Sequence, residues 1–169
     1  MPKFKPLPPL ARVKELLRYD VKSGKLFWIQ SVAQCIKIGD EAGSEEKNGI
    51  RVNLDKTKYL AHRVIWLLMT GQDPGDNLID HIDGNCYNNR FSNLRLANRY
   101  QNGCNRKKHS NNTSGLKGVS WHKTLKKWQA YITVNSERIC LGYFKAKEEA
   151  YAAYCEAARR LHGEFARFD

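Results

Sequence analysis

Asp80 and His81 stand side by side in the stretch DHIDGNCYNNRFSNLR, residues 80–95, followed within it by Asp83, Asn85, Asn88, Asn89 and Asn93. Histidine is the side chain whose proton affinity lies nearest neutral pH, which suits it to take a proton from water. Carboxylate and amide oxygens are hard donors, suited to magnesium or manganese rather than zinc. Three readings compete. An EF-hand calcium loop needs oxygen ligands at alternate positions and a glutamate at the twelfth, and the twelfth residue counted from Asp80 is Phe91. A plain turn needs no ligand, since Asp and Asn side chains bond nearby backbone and Asp-Gly is an ordinary turn pair. A phosphodiester-cleaving site would pair a histidine base with a hard cation at the phosphate. Asp83, directly before Gly84, reads as a turn former.

The setting favours a polyanionic partner. The net charge is +12, and it is densest over residues 79–109, which carry six basic and two acidic side chains. Neutralising phosphates releases counterions and drives binding without sequence reading. Arg90, Arg95, Arg99, Arg106, Lys107 and Lys108 surround the Asp-His stretch and are candidate phosphate contacts. The five cysteines form no C-x-x-C pair and are odd in number, which argues against a zinc site or a disulfide framework and for a reducing compartment. The opening MPKFKPLPPL has no apolar core, and no window reaches the roughly 18 apolar residues of a membrane span. The expectation is a cytoplasmic protein with no membrane contact.

The elements that must position these residues read as an α+β protein. Leu10, Val13, Leu16 and Leu17 have helical spacing, and KLFWI reads as a strand. Ile50, Val52 and Leu54 alternate ahead of a DKTK turn, predicting a hairpin. HRVIWLLMT predicts a helix closed by Gly71, with His62 at its head in a packed or capping role. LIDH and SNLRLAN predict two short strands, and RYQNGCNRKK a short helix. The turn-forming HSNNTSG is the best linker. KGVSWH, KKWQAYITV and ERICLGYF alternate as three antiparallel strands, and Ala150, Ala153, Tyr154, Ala157, Ala158 and Leu161 form a helical stripe stopped by Gly163. Such a helix covers one sheet face and leaves the other free, with Lys117, His122, Lys127, Tyr131, Thr133 and Arg138 on it. The parts are a platform over 1–60, a core over 61–108, a linker over 109–116 and a C-terminal module over 117–169.

DHIDGNCYNNRFSNLRLANRYQNGCN resembles the ββα-metal finger of HNH endonucleases, in the Asp-His/Asn/Asn form of phage and intron homing enzymes. The resemblance implies that Asp80 and Asn102 are metal ligands, that His81 is the general base, and that Asn93 orients the histidine and holds the loop. Asn105 is the alternative second ligand. Position 102 is asparagine where the strict pattern has histidine, which favours Mg2+ (or Mn2+) over zinc. KGVSWH through HGEFARF resembles the DNA-binding domain of plant ethylene-response factors, the Apetala-two type. In that family the sheet reads the major groove, which implies contacts from Lys117, Ser120, His122, Thr133, Arg138 and Cys140. Together the resemblances imply a site-specific homing endonuclease acting on double-stranded DNA, a monomer nicking one strand or a dimer cutting both, and leaving 3′-hydroxyl and 5′-phosphate ends. The alternative is a sequence-specific DNA-binding regulator with an inert HNH segment.

Overall fold

The computed structural model describes residues 4–108 and 110–168, and the chain divides into two units, Met1–Ala97 and Asn98–Asp169. The architecture is mixed α/β, built on small antiparallel sheets. His109, the first residue of the expected linker, lies outside the described residues.

In the first unit, α1 (Leu10–Leu16) passes directly into β1 (Leu17–Asp20), which pairs antiparallel with β2 (Lys25–Trp28). The helical spacing that includes Leu17 therefore ends one residue early. Leu16 and Leu17 are both buried, the first at the end of a helix and the second opposite Trp28 in a sheet. A buried pair at such a junction carries no period of its own. Asp20 ends β1 by accepting the Ser23 N–H at 3.0 Å, an Asp-led turn.

β3 (Ser44–Glu46), β4 (Gly49–Leu54) and β5 (Thr57–Leu60) form a three-stranded sheet in that order. The β4–β5 turn puts Asp55 and Lys56 at φ 46° and 63°, the geometry that matches strand twist in a two-residue hairpin. Next, α2 (Ala61–Thr70) ends at Gly71, whose φ of 76° lets its N–H reach the Leu67 carbonyl. Val64 and Ile65 of α2 are fully buried against Val13, Leu16, Val52 and Leu54. Each such side chain stabilises the unit by about 1.5–3 kcal/mol, and Val64→Asp would place an unpaired charge at its centre. The opposite face of α2 presents His62 and Trp66, one helical turn apart, towards the segment that carries the candidate site.

β6 (Leu78–His81) and β7 (Leu94–Ala97) form a two-stranded ribbon with Asp80 opposite Arg95 and His81 opposite Leu94. The platform grips the long loop between them. The Tyr19 hydroxyl donates to the Asn89 carbonyl at 3.1 Å and accepts the Phe91 N–H at 2.8 Å. A Cβ on Gly24 would lie 2.6 Å from the Arg90 backbone nitrogen, so only glycine lets the β1–β2 turn approach the loop this closely.

In the second unit, α3 (Arg99–Cys104) starts with a capping box in which Asn98 and Gln101 bond each other's backbone N–H. β8 (Val119–His122), β9 (Lys127–Val134) and β10 (Glu137–Phe144) form an antiparallel sheet in the order β10-β9-β8, with a bulge between Cys140 and Gly142. α4 (Lys147–His162) packs on one face, burying Ala150, Tyr154, Ala157 and Ala158 with Val119, Ala130 and Ile132. The alanines bring the helix close. Gly118 meets the Tyr154 ring where a Cβ would stand 2.1 Å away.

Candidate active site

β6 ends at His81, so Asp80 and His81 sit at the mouth of the loop. Asp80 is 5% exposed and His81 8%. A carboxylate so buried needs a cation or several hydrogen bonds. Arg95, its cross-strand partner, supplies both: Nε and Nη2 donate to Asp80 Oδ2 at 3.0 and 2.9 Å. Arg95, expected to contact DNA phosphate, is thus held on the carboxylate.

His81 is fixed by Asn89, to which sequence reasoning gave no role, and by His62 at the head of α2. Its Nε2 lies 2.9 Å from Asn89 Oδ1. An amide oxygen can only accept, so in this contact Nε2 is the nitrogen that carries hydrogen towards Asn89. The His62 ring lies 5.1 Å from it, centroid to centroid, with the planes at 84°. Burial, with the neighbouring His81 and Arg63 adding to it, pushes the His62 pKa down to about 3.

Asn93, expected to orient the histidine and hold the loop, bonds the loop. Its Oδ1 accepts the Asp83 N–H at 3.0 Å, and its Nδ2 donates to Asp83 Oδ1 at 3.0 Å and to the Asn88 carbonyl at 2.8 Å. The asparagine bonded to the His81 ring is Asn89. Asp83 is a keystone of the turn: besides Asn93 it accepts from the Asn85 N–H at 2.8 Å and Asn88 Nδ2 at 2.7 Å. Burial opposes its ionisation, but these donors outweigh burial and hold its pKa below the usual carboxylate range.

Asn102 and Asn105 belong to the second unit. Asn102 lies on α3, where its N–H donates to the Asn98 carbonyl, and Asn105 is the buried cap that ends the helix. As donors, Asp80 and Asn102 offer only oxygen. Among the described residues no cluster of three His, Cys, Asp or Glu side chains forms a metal site. One carboxylate and one amide suit a hard divalent ion that keeps most of its water.

The other DNA-contact candidates fall into three groups. Arg90, in the first unit, is tied to the Lys22 carbonyl at 2.9 Å and to Asn88 Oδ1 at 3.3 Å. In the second unit Arg99, Arg106, Lys107, Lys108, Lys117, Ser120 and Thr133 line one cleft of about 640 Å³. Lys117 is occupied there, its Nζ donating to the Cys104 and Arg106 carbonyls at 2.8 and 2.7 Å. His122, Lys127 and Arg138 lie on the sheet face away from α4, by their register with Gln129, Tyr131 and Thr133. The Arg138 guanidinium stacks 3.4 Å from the Tyr131 ring centre, and His122 meets Tyr143 edge-on at 5.2 Å. His162 packs against Tyr100 at 5.9 Å and reaches the Thr133 carbonyl at 3.2 Å.

Residues 59–104 match the HNH endonuclease family. The chain is similar to Protein 3.8 of Escherichia phage T7, 39% identical over 109 residues that cover 63% of this chain and 88% of that protein. It is also similar to the uncharacterized HNH endonuclease L560 of Acanthamoeba polyphaga mimivirus, 36% identical over 121 residues that cover 71% of this chain and 62% of that protein. No solved structure matches. No helix among the described residues is long and apolar enough to cross a membrane.

Proposed function

This chain belongs to the HNH endonuclease family, and from that premise we propose that it is a site-specific, homing-type DNA endonuclease that nicks one strand of duplex DNA per active site. His81 is the general base. It takes a proton from a water molecule that attacks the scissile phosphate in line, and the P–O3′ bond breaks to leave 3′-hydroxyl and 5′-phosphate ends. By the family pattern Asp80 and Asn102 would hold a divalent ion, Mg2+ or Mn2+, which would supply positive charge to neutralise the phosphate and the leaving oxygen. The single observation that carries the reading is the His81 ring itself: buried beside Asp80 at a strand end, with Nε2 engaged by Asn89.

Around this centre the chain's own residues do the positioning. Asn93 and Asp83 brace the loop that follows His81. The free sheet face, with Arg138 stacked on Tyr131 beside Lys127 and His122, suits a duplex reader of the Apetala-two kind. Phosphate contacts from the basic cleft would set its register.

Arg95 on Asp80 gives the second reading its one specific support, because a guanidinium on the carboxylate is what a metal-free DNA-binding regulator would need. A single experiment separates the two. Supercoiled plasmids carrying a phage DNA library are incubated with wild type and His81→Ala, in magnesium, manganese or EDTA. Open circles that need the ion and vanish in the variant, with DNA binding retained, support the nuclease. Tight binding with intact plasmid under every condition leaves the regulator.

A further inference from the structure

A histidine side chain has a broad, two-fold torsion about its last bond, and flipping it exchanges a nitrogen for a carbon at each edge. A base that must show one nitrogen to one water needs both the flip and the tilt of its ring fixed. Two residues to which the resemblance assigned no role do this for His81. Asn89 is 2% exposed, its backbone held by Tyr19, and its Oδ1 meets Nε2 at 2.9 Å, which selects one flip and one tautomer. His62, fixed on the rigid first turn of α2, sets its ring perpendicular to that of His81 at 5.1 Å, which limits the tilt. The His62 ring makes no hydrogen bond among the described residues, so this edge contact is its engagement with the site.

We propose that Asn89 and His62 are positioning residues that clamp the His81 ring so that Nδ1 is the nitrogen that receives the proton of the attacking water. The inference rests on His81 as the base. In the step, water gives its proton to Nδ1 while its oxygen bonds to phosphorus. The P–O3′ electron pair leaves on O3′, which takes a proton from solvent. The imidazolium so formed keeps its Nε2–H on the Asn89 amide oxygen, which stabilises the new charge. His62 remains neutral beside it, because burial holds its proton affinity far down, and adds no like charge to oppose the transfer.

Two measurements test the clamp. The first needs no variant: long-range proton–nitrogen correlation NMR of the full-length protein at neutral pH reads the His81 tautomer. The Nε2–H form is expected, and the Nδ1–H form overturns the proposal. The second is single-turnover cleavage at saturating protein, with DNA affinity measured separately in EDTA. It uses wild type, His81→Ala, Asn89→Ala, Asn89→Asp, His62→Ala and His62→Phe. Asn89→Ala and His62→Ala are expected to slow cleavage roughly 10–100-fold, the scale for residues that orient a working ligand, with DNA affinity unchanged. Asn89→Asp keeps an oxygen acceptor and His62→Phe keeps a ring wall, so each should restore most of the lost rate. A His62→Phe as slow as His62→Ala, or alanine variants that cut at the wild-type rate, overturns the clamp. Failure of the parent reading looks different: wild type does not cut, or His81→Ala cuts equally well.

Discussion

Two nitrogens of Arg95 converge on one oxygen of Asp80, Oδ2, at 3.0 and 2.9 Å, across the two strands of a β-ribbon. Both side chains are nearly buried, at 12% and 6% exposure. Removing one partner of such a pair strands the other charge and costs about 3–5 kcal/mol. Arg95→Ala is therefore expected to lower the melting temperature in EDTA. A divalent ion that binds the freed carboxylate should recover part of the loss, and calorimetry should show tighter metal binding than in wild type. A variant whose melting is the same in magnesium and in EDTA would remove Asp80 from the metal site.

Tyr19 holds the loop between β6 and β7 through its hydroxyl, which bonds the Asn89 carbonyl and the Phe91 N–H. Tyr19→Phe leaves the ring in place and both backbone groups unpaired. Each unpaired group costs about 1–3 kcal/mol if it stays dry. Hydrogen exchange at the Phe91 amide is expected to accelerate and the cleavage rate to drop, with DNA affinity retained. Unaltered exchange at Phe91 would mean that the loop holds itself.

His62 makes stability depend on pH. Its folded-state pKa is depressed from the ordinary 6.5 to about 3, so the unfolded chain takes up a proton that the native state refuses. The native state is thus fully favoured above pH 6.5 and loses ground as pH falls from 6.5 towards 3. By pH 5 the loss is on the order of 1–2 kcal/mol. His62→Phe, which cannot titrate, should flatten this part of the curve in chemical denaturation at pH 7, 6 and 5. Parallel curves for the two proteins would exclude the effect.

Two cations of the second unit should behave differently although sequence grouped them together. Arg138 lies on the open sheet face over Tyr131, whereas Lys117 donates to two carbonyls at the end of α3. Arg138→Ala is expected to weaken DNA binding and to reduce the dependence of log affinity on log salt by about one phosphate contact. Lys117→Ala is expected to leave that slope unchanged and to lower thermal stability instead. Equal slopes for Arg138→Ala and wild type would take the sheet face out of the DNA interface.

What the sequence made legible was what depends on neighbours along the chain. The DKTK turn, the Gly71 stop of α2, the alternating C-terminal strands and the alanine stripe of α4 are all set by residues a few positions apart, and all are present. Leu17 was misread because burial at a helix–strand junction looks the same for either element. Asn89 was passed over for a related reason. The loop holds several asparagines of equal chemistry, and the one that reaches His81 is selected by Tyr19 and Gly24 in the distant platform. Arg95 looked like one more surface cation until the register of β6 and β7 set it opposite Asp80. The role of the platform had no local signature at all. It is a set of contacts between strands that the sequence keeps far apart.

The hydroxyl of Tyr19 and the carbonyl it holds are 70 residues apart. A ribosome adding about 5–20 residues each second needs roughly 4–14 s to make the intervening chain. Throughout that interval the anchor exists without the loop it must fasten. Contacts of such long range form late, because the chain between them loses its freedom before it gains the bond. A nascent or prematurely terminated chain ending short of Phe91 therefore holds the scaffold and no cutting geometry. The cell that translates the message meets an armed nuclease only once synthesis has passed the second strand of the β-ribbon.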